Sequence, residues 1–192
     1  LDAEMCSPYA FYQFWLNTAD ADVVDRLKVF TFLTRAEIEE YAQKVADEPF
    51  RREAQRRLAW EVTSLAHGEE ATTKVIEASQ AVFGGGDLSD VDAEPLGAIL
   101  SELPQADRTQ WEGEPGTVTA VELLVSTGLV GSKSEARRTV KEGGASVNNE
   151  RVSDADRVYT REDALAGRHL LVRRGKKNMA GADLGSQDAD RG

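Results

Sequence analysis

Four polar side chains recur at one helical spacing. Ser134, Arg137, Arg138 and Lys141 stand at positions i, i+3, i+4 and i+7 of the stretch after Ser132, so on a helix they share a face. Lys133 opens the same stretch, and Ala136 and Val140 take its opposite side. Cationic groups aligned along a helix, with main-chain amides at its N-terminus, are what a phosphodiester backbone requires. A charge run alone is by default a solvated face. Here a polar hairpin follows it, and then a second basic cluster, Arg173, Arg174, Lys176 and Lys177. That succession favours phosphate binding over simple solvation.

Other chemistries find little support. Cys6 is the single cysteine, which excludes an intrachain disulfide framework and a cysteine-rich zinc site. Two histidines, His67 and His169, are too few for a histidine-built metal centre. His67 precedes Gly68 at a predicted helix end, where an imidazole meets the last carbonyls. Gly84-Gly85-Gly86 ends a helix instead of linking a strand to one, so it is not a phosphate-cradling loop. No stretch approaches the roughly 18 apolar residues of a membrane span, and no basic-then-apolar leader opens the chain. A reducing cytoplasm is the expected compartment.

The elements that position these residues fall into two groups. Ser7-Pro8 starts an aromatic helix; Val23, Leu27, Phe30 and Leu33 continue with a period near 3.6. Thr34 with Glu37 forms a capping box before Ile38, Tyr41, Ala42 and Val45. Phe50 to His67 is a long helix with Ala54, Leu58, Val62 and Leu65 inward, and further helices follow over 70–83 and 96–103. Residues 1–103 therefore read as an all-helical module and 104–117 as a linker held by Trp111. Residues 118–177 read as helix, helix and strands, an α+β pattern with capping boxes at Thr119/Glu122 and Ser132/Glu135 and a hairpin turn at Asn149-Glu150. Residues 178–192, rich in Gly, Asp and Ala, read as a disordered tail. The fold class is thus α+β.

The charge follows the same division. The chain carries 23 basic and 34 acidic residues, a net of −11, which is a poor prior for a nucleic-acid binder. Between Thr119 and Lys177, however, 12 basic residues face 8 acidic ones. Screening over about 8 Å lets such a local basic face act independently of a distant acidic surplus.

The second part, GLVGSKSEARR (Gly128–Arg138), then Gly143-Gly144 and Val147-Asn148, resembles the small RNA-binding domain of the ribosomal-protein S-four type. By that resemblance Asn148 joins the candidate RNA contacts. Asn149-Glu150 departs from the Asn-Gly often found there, which predicts a looser turn. The first part narrows the choice. SPYAFYQFWLNTADAD (Ser7–Asp22), FTFL (Phe30–Leu33) and LAWEVTSLAHGE (Leu58–Glu69) resemble the C-terminal half of bacterial tyrosyl-tRNA synthetases, over about residues 1–175.

The resemblance implies a helical anticodon-recognising module followed by the S-four-like domain, with tyrosine tRNA as partner. An acidic residue near Asp20 and Asp22 would accept from a guanine of the anticodon; N-capping of the helix there is the plainer role for either. In that family a catalytic domain precedes this region and holds ATP, magnesium, the tyrosine pocket and most of the homodimer contacts. Neither of its ATP signatures, H-I-G-H or K-M-S-K-S, occurs here, and the first residue is Leu1. The expectation is a piece of a longer ligase, with no cofactor of its own and inactive alone. The rivals are a free-standing S-four-type or ribosome-associated RNA module and a helical protein-interaction domain with an incidental basic tail. Neither has a reason to carry the aromatic Ser7–Asp22 segment.

Overall fold

The computed structural model describes residues 6–185 and divides the chain into two compact units, residues 1–76 and 77–192. The first unit is helical. Ser7 accepts from the amide of Ala10 at 3.1 Å, and Pro8 begins α1 (Pro8–Leu16). There follow α2 (Asp20–Phe30), α3 (Arg35–Asp47), a 3-10 turn (Pro49–Arg51), α4 (Glu53–His67) and the start of α5 (Glu69–Gly84). The Thr34/Glu37 capping box is present at α3. α1, α2 and α3 all pack on α4. Tyr12, Trp15, Val23, Leu27, Leu58 and Val62 are buried in that core. Sealing side chains of this size from water stabilises by about 1.5–3 kcal/mol each. The helical period overreached at Phe30 and Leu65, which are exposed.

The second unit holds the end of α5, α6 (Ala93–Glu102), a 3-10 turn (Arg108–Gln110), β1 (Val118–Thr119), α7 (Ala120–Ser126) and α8 (Lys133–Lys141). Five strands complete it: β2 (Ala145–Val147), β3 (Glu150–Arg151), β4 (Val158–Tyr159), β5 (His169–Arg174) and β6 (Asn178–Asp183). The main sheet is antiparallel in the order β3-β2-β5-β6, and β1 pairs with β4 apart from it. Leu123, Leu124, Ala136, Val140, Leu170 and Val172 form one apolar core between α7, α8 and the sheet. The α+β class stands.

Three boundaries differ from the sequence reading. The helical module does not extend to residue 103, because α6 packs on β5 and β6 and buries Leu96, Ile99 and Leu100. Residues 104–117 are laid along the second unit instead of swinging free. Ala106 donates to Gly181 at 2.9 Å, Asp107 to Ser126 at 2.9 Å, and the Trp111 indole to the Ser126 hydroxyl at 2.9 Å. Residues 178–183 are strand β6, paired with β5 from Arg174↔Asn178 to His169↔Asp183. Their small side chains are a packing requirement: a Cβ at Gly181 would stand 2.6 Å from the Leu100 carbonyl. The remainder of the expected tail, 186–192, lies outside the described residues.

Candidate RNA-binding surface

α8 is built as its spacing predicts. Ser132 caps it, accepting from the amide of Glu135 at 3.2 Å. The Glu135 carboxylate reaches one residue beyond a capping box, to the amide of Gly131 at 2.9 Å. That amide, with Arg174 nearby, holds the Glu135 carboxyl below the usual range. The C-terminus closes in a Schellman turn: Gly143 (φ 73°) donates to Val140 and Gly144 to Thr139. Between these ends Ala136, Thr139 and Val140 are buried, and Lys133, Ser134, Arg137, Arg138 and Lys141 are exposed.

Packing behind the helix is tied by an acidic side chain. Glu122 of α7 is 7% exposed and accepts from the amides of Glu112 (2.8 Å) and Thr119 (2.7 Å) and from the Thr119 hydroxyl. Burial pushes its pKa up, but these hydrogen bonds and Lys133 outweigh it and leave the carboxyl low. Tethering residues 112–122 in this way also places Glu112 where Lys133 meets it at 2.8 Å.

The candidate contacts separate by how they are engaged. Arg138 and Lys141 carry no ion pair among the described residues, nor do Lys176 and Lys177, which sit on the three-residue loop between β5 and β6. Lys133 pairs with Glu112, and Arg137 with Asp156 at 3.2 Å; both cations stay about half exposed, so these are weak surface pairs that a phosphate can displace. Arg174 donates to the Leu129 carbonyl at 2.8 Å and pairs with Glu135 at 2.9 Å, fastening β5 to the α8 entrance.

Two expected contacts face inward. Arg173 is 7% exposed and donates to the carbonyl of Val82, so it is unavailable to a phosphate. Alternation along β5 sends it to the side opposite Arg174. Asn148 is engaged at both ends of its amide: it donates to Asp163 O at 2.7 Å and accepts from the Leu171 amide at 3.0 Å. The hairpin turn is Asn148-Asn149, one residue earlier than predicted. Val147 pairs with Glu150, and both asparagines are left-handed, with φ of 51° and 66°. Asparagine tolerates that region, as a two-residue primed turn requires, so the turn is tight without glycine.

One cation was missed. Arg151 of β3 is exposed and has no ion pair among the described residues, and its guanidinium lies over Gly143 at the end of α8. The signal was available as the basic residue of the predicted hairpin strand. Arg138, Lys141, Arg151, Lys176 and Lys177, with the displaceable Lys133 and Arg137, are a cation set suited to a phosphate backbone.

In the first unit, Asp20 and Asp22 lie in the first turn of α2, but neither caps it; the N-cap is Ala19, without a side-chain bond. Asp20 accepts from the amide of the buried Gln55 at 2.5 Å. Asp22 is exposed and has no side-chain partner among the described residues. No helix in the described residues is long and apolar enough to cross a membrane, and no group of three metal-ligating side chains occurs there.

Two family descriptions match the chain. Residues 1–84 match tRNA synthetases class I (W and Y), and residues 99–180 match the tyrosine--tRNA ligase SYY-like C-terminal domain. The tyrosine--tRNA ligase of Nocardia farcinica is 54% identical over 183 residues, covering 94% of this chain and 42% of that protein. That of Corynebacterium efficiens is 51% identical over 184 residues, 96% of this chain and 43% of that protein. That of Leifsonia xyli subsp. xyli is 56% identical over 182 residues, 94% of this chain and 40% of that protein. The chain thus spans less than half the length of the curated relatives it matches.

Proposed function

We propose that this chain, related along nearly its whole length to the C-terminal part of tyrosine--tRNA ligases, is a tRNA-recognising segment whose partner is tyrosine tRNA. The observation that carries the reading is the exposed row Ser134, Arg137, Arg138 and Lys141, backed by the buried Ala136 and Val140. A row of cations on a helix anchored to a closed core holds phosphates without reorganising. The second unit grips the tRNA body through this row, Arg151 and the Lys176-Lys177 loop. The first unit reads the anticodon, with Asp20 or Asp22 as acceptor for a guanine edge. Recognition here needs backbone electrostatics and a few base contacts, with no covalent step. Activation of tyrosine with ATP and magnesium, and homodimer contacts, belong to the part of the relatives that this chain does not span; the compartment is the cytoplasm.

The test is the double substitution Arg137→Glu and Arg138→Glu, with tyrosine tRNA binding measured over a range of salt. Two charges reversed where phosphates lie weaken binding, and each lost contact reduces the steepness of the log–log salt dependence by roughly 0.7–0.9. Unchanged affinity and slope in a folded variant return α8 to a solvated face.

A further inference from the structure

The first unit holds a cavity that the cation row does not account for. It is open, about 530 Å³, and is walled by Tyr12 of α1, Tyr41 of α3, and Glu53, Arg56, Arg57 and Trp60 of α4. Its size falls in the range of small-ligand sites, roughly 300–1,000 Å³. Its chemistry is aromatic and cationic. The Arg57 guanidinium lies 5.8 Å from the centre of the Trp60 ring, and Lys44 lies 5.0 Å from that of Tyr41.

The acids around it are already engaged. Lys44 holds Glu53 at 3.1 Å and Glu40 at 2.8 Å, and Arg57 meets Glu61 at 2.5 Å. What remains is donor capacity. The Arg57 Nε is buried with no hydrogen-bond partner, and Arg56 is exposed with no ion pair among the described residues. A buried N–H without a partner is costly, but one sealed from water is sealed from a ligand too, so the donor on offer is Arg56. The Tyr12 hydroxyl has none among the described residues either; burial raises its pKa, while Arg56 pulls it down.

From this arrangement we infer that the cavity is a binding site for a nucleoside phosphate, presented as one unpaired nucleotide of an RNA. The base stacks on the ring and guanidinium faces of Trp60, Tyr41 and Arg57, and the phosphate accepts from Arg56. Stacking on an aromatic face tolerates any base, so the site adds affinity without reading sequence. The inference rests on the tRNA-binding reading and extends it to a surface with no residue in common with the α8 row.

The experiment compares wild type, Arg56→Gln, Trp60→Leu and the Arg137→Glu/Arg138→Glu double variant of the full 192-residue chain. Each is titrated with tyrosine tRNA at several salt concentrations and, separately, with free GMP. Arg56→Gln should weaken tRNA binding severalfold, reduce the salt slope by roughly 0.7, and leave the melting temperature unchanged. Trp60→Leu should weaken tRNA binding by about five- to a hundredfold with the slope unchanged. If Trp60→Leu does not fold, the exposed Arg56 decides alone. Wild-type affinity in Arg56→Gln, while the double variant loses binding, overturns the cavity site and leaves the tRNA reading intact. A cavity whose substitutions change GMP binding but not tRNA binding belongs to a free nucleotide, which also overturns it. No binding of tRNA by wild type removes both.

Discussion

The guanidinium of Arg173 donates to the main-chain carbonyl of Val82. The acceptor lies in the last turn of α5, where carbonyls have no partner within the helix and positive charge is favoured. Asn149 serves the same end, donating to Ala81 O at 3.2 Å and Gly86 O at 2.8 Å. Arg173, expected as an RNA contact, and Asn149, expected as a turn residue, therefore close a helix terminus, and desolvation lowers the Arg173 pKa without freeing the cation for another role.

Replacing Arg173 by Ala should accordingly cost stability. A buried carbonyl left without its charged donor is worth about 1–3 kcal/mol. The urea midpoint should fall, whereas Lys177→Ala should leave it unchanged and reduce only the salt slope of tRNA binding. A stable Arg173→Ala protein with weakened tRNA binding would put this side chain back on the surface.

Gly143→Ala meets two obstacles. The residue is left-handed, φ 73°, which costs an L side chain about 1–2 kcal/mol, and its Cβ would overlap the Arg151 guanidinium. Stability should drop by at least that amount, and tRNA affinity should drop beyond what stability explains, because Arg151 is displaced. Gly128→Ala is the control: it is left-handed as well, φ 72°, with nothing within 4 Å of the added carbon. It should lose stability while keeping affinity. Equal affinity in the two variants would remove Arg151 from the binding surface.

His169 gives the second unit a pH dependence. The side chain is half-buried on β5, near Gly97 of α6. Burial holds its pKa below 6.5; Asp183 opposes that shift, and Arg168 adds to it. With the folded pKa depressed, the unfolded chain takes up the proton first. The contribution is complete above 6.5 and is lost as pH falls from there toward the folded pKa. His67 is lowered in the same sense, so His169 must be isolated by substitution. The stability difference between wild type and His169→Gln should shrink as pH drops from about 7.5 to 5.5. A constant difference would mean that the imidazole titrates alike in both states.

Asp20 and Asp22 can now be told apart. Asp20→Asn disturbs the 2.5 Å bond from Gln55 and should lower the melting temperature, whereas Asp22→Asn should not. Removing a charged acceptor from a guanine edge costs about 1.5–3 kcal/mol, a ten- to hundredfold loss of affinity for tyrosine tRNA. The loss should shrink on a tRNA whose first anticodon base is not guanine. If neither variant shows a base-dependent loss, the proposed role of Asp20 and Asp22 at a guanine edge fails.

What was legible in the sequence was local. α8 could be placed because a cap, a four-residue polar row and paired glycines all lie within one short stretch, and the Thr34 and Thr119 capping boxes are equally self-contained. What was illegible depended on distant partners. Nothing near Arg173 reveals that Val82 stands 91 residues away in the chain to receive it. Ala180-Gly181-Ala182 reads as low-complexity sequence until α6 and Gln105 press against it. Leu96, Ile99 and Leu100 give α6 an apolar stripe, but a stripe does not say which core it enters. In the candidate site, the cations on α8 and the β5–β6 loop were readable from spacing, while Arg151 needed the fold that lays it on Gly143.

The central claim is that this chain grips tyrosine tRNA through phosphates. Its most direct test is titration of the wild-type chain with tyrosine tRNA, and with a tRNA for another amino acid, between about 50 and 200 mM salt. The account predicts preferential binding of tyrosine tRNA that weakens about a hundredfold across that range if four phosphates are held. Affinity that is absent, insensitive to salt, or equal for the two tRNAs would contradict it.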